Sequence, residues 1–219
     1  MVLGLAARLA AQPARPVLRV AVDGVDGAGK TIFADELAAA LRQRGREVIR
    51  ASVDGFHQPR AARYRLGRDS PEGFYRESYD YAALRRALLD PLGPGGSRRY
   101  CTATFDVAAD LPVTPEGMVA RPGSILLVDG LFLHRPELRE VWDDSVFLRV
   151  AFAVSVPRGA ARGPGFGSPD PLDQSNRRYI GGHQLYFSEA DPERRAGVVV
   201  DNNDLDAPFM VCARDVAGR

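Results

Sequence analysis

The sequence predicts a single α/β domain, three layers deep (α/β/α), with a mostly parallel, doubly wound sheet between two layers of helices. Three observations carry this prediction. Residues 17–22 read as a buried strand that breaks into glycine-rich residues 24–29 and then into a helix with apolar residues at helical spacing over 31–41. Four consecutive aliphatics, Ile125, Leu126, Leu127 and Val128, run into Asp129, the pattern of a strand buried on both faces. Further strand-like segments at 47–54, 146–152 and 197–202 alternate with helical ones, the order of repeated βαβ units. A chain of 219 residues suffices for one such domain, taken as 1–219 with its core at 17–203.

Residues 1–11 are apolar enough to suggest a signal peptide. They lack a basic start, however, and Arg8 interrupts the run, so a short amphipathic helix leading to Pro13 and Pro16 is the better reading. The first strand then delivers Gly24, Val25, Asp26, Gly27, Ala28, Gly29, Lys30 and Thr31, which fit G-x-x-x-x-G-K-[ST], the phosphate-binding P-loop. The glycines permit a tight turn that presents bare N–H groups, and the positive end of the following helix adds to the anion site. Lys30 places a point charge at the β- and γ-phosphates of a nucleotide such as ATP, and the Thr31 hydroxyl suits Mg²⁺, which takes oxygen ligands.

Gly45 marks a helix stop, and 47–54 reads as the second strand, ending in Asp54. Ligands of open α/β sheets gather at the carboxyl ends of strands, so Asp54 shares an edge with the phosphate loop. Residues 58–120 look like a substrate-facing insertion. Within them, 58–80 carries Arg60, Arg63, Arg65 and Arg68 with three tyrosines, followed by a helix over 81–89, a Pro/Gly loop at 91–97 and a short strand at 98–106. The strand at 124–130 has the form that delivers a carboxylate, Asp129, to a magnesium shell. Pro136 opens a helix, and 146–152 is a further strand. Residues 157–171, rich in Gly, Pro and Arg and holding Arg158 and Arg162, read as a mobile lid. A helix from Pro171 towards Glu189, weak at Gly181 and Gly182, and a final strand at 197–202 close the domain.

A formal charge of +1 with 26% charged residues gives no global field for nucleic acid or an anionic membrane. No stretch approaches the 18 apolar residues of a membrane span. Cys101 and Cys212 lie far apart without metal-ligand spacing, which favours a reducing, cytoplasmic setting. A homo-oligomer is compatible with all of this.

With the P-loop, Asp54-Gly55-Phe56-His57, Glu77-Ser78-Tyr79-Asp80, Val128-Asp129-Gly130 and the arginine-bearing lid in this order, the chain resembles the uridine kinase, pantothenate kinase and phosphoribulokinase group of P-loop kinases. The likeness covers roughly residues 17–203 and is nearest to bacterial uridine kinase-like proteins. It implies transfer of the γ-phosphate of ATP to a hydroxyl of a small-molecule substrate: a nucleoside such as uridine or cytidine, or alternatively pantothenate or a sugar phosphate. It implies that Asp54 takes the proton of the substrate hydroxyl near the metal, that Tyr79 and Asp80 line the acceptor pocket, and that Arg158 and Arg162 cover the phosphates, helped by Arg177 or Arg178. Two departures stand out. Residues 100–106 lack the histidine with which uridine kinases read the pyrimidine, and Asp54-Gly55-Phe56 is nearer the pantothenate kinase form.

From the residues themselves, His57 is a candidate hydrogen-bond donor to substrate, Tyr64, Tyr75 and Tyr79 are candidates to stack on a base, and the arginines of 60–68 form either a solvated face or the seat of an anionic substrate. A competing expectation from another class is a nucleotide-dependent switch without an acceptor. The chain has no N-K-x-D guanine-reading tetrapeptide.

Overall fold

Runs of β-branched and aliphatic residues with no polar alternation can only be satisfied between two covering layers, and β1 (Val17–Gly24) is buried at all eight positions. The computed structural model describes residues 1–13, 15–163 and 166–214. In chain order, α1 (Val2–Ala10) precedes β1, which passes through the glycine loop into α2 (Lys30–Gln43) and then β2 (Val48–Ser52). A single 3-10 turn, Val53–Phe56, ends β2. The insertion holds α3 (Arg60–Arg63), α4 (Pro71–Glu77) and α5 (Tyr81–Leu84), the last continuing as a π turn over Arg85–Leu89. Four two-residue strands follow, β3 (Arg99–Tyr100), β4 (Phe105–Asp106), β5 (Leu111–Pro112) and β6 (Met118–Val119). The chain returns to the sheet with β7 (Ser124–Gly130) and β8 (Asp144–Arg149), then runs through α6 (Phe152–Ala160), α7 (Arg177–Ala190), α8 (Pro192–Arg195), β9 (Val198–Asp201) and β10 (Phe209–Ala213).

The main sheet has the order β10-β9-β8-β1-β7-β2, parallel throughout except for the antiparallel edge strand β10. Period-two alternation along β1 sorts its side chains to two cores. Leu18, Val20 and Val22 pack under α1 and α2 with Phe33, Leu37 and Leu41, while Val17 and Ala21 join Phe74, Phe132 and Tyr186 on the other face. The register Val22↔Asp129 and Ser52↔Asp129 brings the ends of β1, β7 and β2 to one level. No helix among the described residues is long and apolar enough to cross a membrane. Both cysteines are free, Cys101 half-buried and Cys212 exposed.

Four expectations need correction. The strand at 98–106 is two separate pairs, β3 with β6 and β4 with β5, because the chain bends between them so that Thr104 N can donate to Gly55 O at 2.8 Å. Residues 136–142 form consecutive turns rather than a helix. Arg135 O accepts from both Leu138 N and Arg139 N, and Trp142 Nε1 donates to Leu133 O at 2.7 Å, which folds the segment back on itself. The segment expected as a lid, 157–171, begins as helix: α6 extends through Pro157 and Arg158 to Ala160, and residues 164 and 165 lie outside the described residues. The last helix starts at Arg177 after a 3-10 turn, Gln174–Asn176. It passes Gly181 and Gly182 without a break, because these positions let it pack directly on α4, where a Cβ would collide with Pro71 and Phe74.

Candidate active site

The glycine loop closes onto α6. Gly27 has φ +72°, and a Cβ there would collide with the Ser155 carbonyl oxygen, so both backbone freedom and the missing side chain are used. Gly29, at φ +87°, starts α2 and aims its first N–H groups and its positive end at the loop. Lys30 Nζ donates to Val25 O across the loop at 2.7 Å. Burial pushes the Lys30 ammonium below the ordinary lysine range, opposed by the nearby carboxylates of Asp26, Asp23, Asp54 and Asp129. The loop is also held from outside, since Asn202 Nδ2, just past β9, donates to Ala28 O at 2.8 Å.

Parallel register explains the next pair. The Thr31 hydroxyl donates to Asp129 Oδ2 at 2.8 Å, and Arg50 Nη2 from β2 holds Asp129 Oδ1 at 2.9 Å. A hydroxyl and a carboxylate with two hard oxygens suit Mg²⁺ beside nucleotide phosphates. Among the described residues, no cluster of three or more His, Cys, Asp or Glu forms a cage for a metal.

Asp54 sits on the 3-10 turn after β2, capped by its amide donating to Ser52 Oγ at 3.3 Å. Its Oδ1 accepts the Tyr79 hydroxyl at 3.0 Å, and its carbonyl bonds His57 Nδ1 at 2.8 Å. Burial, then the Asp54 charge, hold the Tyr79 phenol well above its ordinary pKa, so it stays a donor. Burial likewise depresses the His57 imidazole, with Arg63 adding to the effect. A cavity of about 390 Å³ is lined by Asp26, Lys30, Thr31, Asp54, Tyr79 and Asp129, with His57 at its edge, and by Arg162 from the turn after α6. One space therefore joins the phosphate loop, the Thr31–Asp129 pair and a carboxylate on the neighbouring strand.

Four predicted site residues are placed elsewhere. Tyr75 is fully buried between Phe132 and Tyr186 under the Arg135 guanidinium, because α4 turns its Gly73–Tyr75 face to the core. Asp80 caps α5 through Ala83 N at 2.8 Å and lines a separate cavity of about 580 Å³ that meets the first only at His57. Arg158 is drawn to the end of β9, where it donates to the carbonyls of Asn202 and Asn203. It lines a third cavity on the flank of the loop with Gly29 and Leu205. Arg177 is exposed on the outer side of α7, and its neighbour Arg178 lines the main cavity instead.

No protein-family model and no curated protein matches the chain. Solved structures do. A possible uridine kinase from Bacillus stearothermophilus superimposes with a TM-score of 0.72 at 22% identity, covering 90% of this chain and 96% of that one. Phosphoribulokinase from Rhodobacter spheroides gives 0.59 at 15% identity over 85% and 70% of the two chains. D-glycerate 3-kinase from Cryptococcus neoformans gives 0.52 at 13% over 95% and 96%. The fold is that of the P-loop uridine kinase and phosphoribulokinase group.

Within this P-loop fold, three features had no sequence signal. Asp23, fully buried, accepts Gly24 N at 2.7 Å and Leu133 N at 3.1 Å, contacts His134 Nδ1 at 2.7 Å and takes the Tyr186 hydroxyl. It anchors the root of the loop to α7 and the β7 end. His183 Nε2 lies 2.9 Å from Asp26 Oδ2 and 3.2 Å from the Asp26 amide, so α7 grips the loop a second time. Burial alone would raise the Asp26 carboxyl; His183, Lys30 and Arg162 outweigh it and hold it below the ordinary range. Arg50, the third, looked like one outward residue of a strand. The only hint for the histidines was their number, three in the chain.

Proposed function

We propose that this protein is an ATP-dependent kinase that transfers the γ-phosphate to a hydroxyl of a small metabolite. One observation carries the reading: Asp54, Lys30, Thr31 and Asp129 line a single cavity although they come from the start of α2, the turn after β2 and the end of β7. In phosphoryl transfer the protein mainly positions and neutralises. Lys30 and the loop amides hold the phosphates, Thr31 and Asp129 hold Mg²⁺, and Arg162 covers the transferring group from the lid. The metal ion, bound with the nucleotide, neutralises the charge of the β- and γ-phosphates.

Tyr79 fixes Asp54 through Oδ1 and leaves its second oxygen for the acceptor. The acceptor oxygen bonds to the γ-phosphorus as the bond to the β–γ bridging oxygen breaks. ADP leaves with that electron pair, and the acceptor proton passes to the Asp54 carboxylate. Within this class the sequence resemblance favours a nucleoside such as uridine or cytidine. The names of the structural neighbours mention uridine, glycerate and phosphoribulose, so kinases with this fold divide between neutral and anionic acceptors. A nucleotide switch would need no acceptor carboxylate beside its phosphates.

The test is ADP release screened over nucleosides, pantothenate, glycerate, ribulose 5-phosphate and hexoses, repeated with Asp54→Asn. Turnover should require an acceptor and fall about 10²- to 10⁴-fold in the variant, the span of a general base, with nucleotide affinity kept. Acceptor-independent hydrolysis, or unchanged turnover in the variant, rejects the reading.

A further inference from the structure

Besides the phosphate loop and the two acids, the main cavity is lined by Arg63, Tyr64 and Arg178. Arg178 is 7% exposed, yet it pairs with no carboxylate among the described residues. Its guanidinium is spent on the backbone carbonyls of Gly67, Arg68, Ser70 and Arg63, at 3.1 to 3.3 Å. Carbonyl oxygens orient a cation without cancelling its charge. Arg63, with its side chain 12% exposed, has one carboxylate partner among the described residues, Asp110 Oδ1 at 3.3 Å, and that oxygen is shared with Arg60 N at 2.8 Å. Arg63 Nε is buried and has no hydrogen-bond partner among the described residues.

Both guanidiniums stand over one ring, 5.7 Å and 4.9 Å from the Tyr64 centroid, and Arg68 adds a third at 5.3 Å. Burial is the main cause that lowers the pKa of Arg178; Arg63 adds to it, and Tyr64, Tyr179 and Asp69 oppose it. The carboxylates of the cavity are already engaged: Asp26 with His183, Asp129 with Thr31 and Arg50, and Asp54 with Tyr79. Two largely buried cations that line one cavity, with a single carboxylate oxygen between them, form a seat for an anion.

Resting on the kinase reading above, we propose that the acceptor is an anionic hydroxy compound, whose phosphate or carboxylate is seated by Arg63 and Arg178 while its hydroxyl is presented to Asp54. The anionic group selects the substrate and is not itself altered. Arg63 is the specificity-determining residue, since its guanidinium is held only by the shared Asp110 oxygen among the described residues, whereas Arg178 also ties down residues 63–70.

The test has a binding arm and a turnover arm. Protein saturated with Mg²⁺ and a non-hydrolysable ATP analogue, so that the phosphate loop is filled, is titrated with inorganic phosphate by calorimetry. Phosphate should bind. Arg63→Gln, which keeps the packed stem but loses the charge, should weaken it tenfold or more, Arg63→Lys by less, with the ATP analogue bound as in the wild type. No phosphate binding, or binding unchanged in Arg63→Gln, overturns the proposal.

Turnover is compared for matched pairs, glycerate against glycerol and ribulose 5-phosphate against ribulose. A preference for the charged member that is lost in Arg63→Gln through KM rather than kcat supports it, and the preferred pair tells carboxylate from phosphate. Equal or better use of neutral acceptors, uridine included, overturns the anion seat and leaves the kinase reading standing. Loss of the Asp54→Asn effect rejects the kinase reading instead.

Discussion

Tyr186→Phe deletes one oxygen from the centre of the network that roots the phosphate loop. The ring is 1% exposed, its hydroxyl donates to the fully buried Asp23, and it accepts His134 N at 2.9 Å. Losing a bond to a buried carboxylate costs about 1.5–3 kcal/mol, and leaving a buried N–H unpaired about 1–3 kcal/mol more. The two bonds share one oxygen and do not add fully. Asp23 keeps Gly24 N, Leu133 N and His134, so the net loss should be about 2–4 kcal/mol. At about 2–4 °C per kcal/mol for a domain of this size, Tm should fall by about 5–15 °C. Urea unfolding followed by circular dichroism measures it, with an unchanged slope m confirming that the effect lies in stability. A loss under about 0.5 kcal/mol, the range of an ordinary surface substitution, would refute the network as the anchor of the loop.

Two further outcomes follow from the same geometry. Burial is the first cause holding the phenols of Tyr79 and Tyr186 well above their ordinary pKa and pushing that of Tyr81 up to about 12. The folded chain thus keeps protons that the unfolded chain releases near pH 10. Stability from these groups is complete below about pH 10 and should fall above it by about 1.4 kcal/mol per pH unit for each tyrosine. Urea midpoints at pH 9, 10 and 11 check this, and the slope should be shallower in Tyr186→Phe. Lys30→Ala removes the one cation that bridges the loop, and calorimetry should show ATP affinity reduced about 10- to 100-fold, the worth of a charged hydrogen bond; unaltered affinity would count against the loop as the nucleotide site.

The spacing of the glycines before Lys30 and Thr31, with a strand before and a helix after, made the phosphate loop legible, because local backbone chemistry alone creates that site. The acids at 54 and 129 were equally legible as strand ends, since a parallel sheet delivers all such ends to one edge. Side-chain direction was not. Tyr75 and Tyr79 are four residues apart in one segment, yet α4 buries the first and the turn after it hands the second to Asp54. Arg177 and Arg178 are adjacent, and the helical rotation of about 100° between neighbours sends one to solvent and the other to the cavity.

Residues near each other in the chain thus fixed the glycine cradle, while partners distant in the chain decided what surrounds it. Asp23 with Tyr186, Asp26 with His183 and Arg50 with Asp129 are separated by 163, 157 and 79 positions. A periodic pattern reports which face of an element is apolar. Which polar group meets which across the sheet depends on the register and packing that only the folded chain supplies.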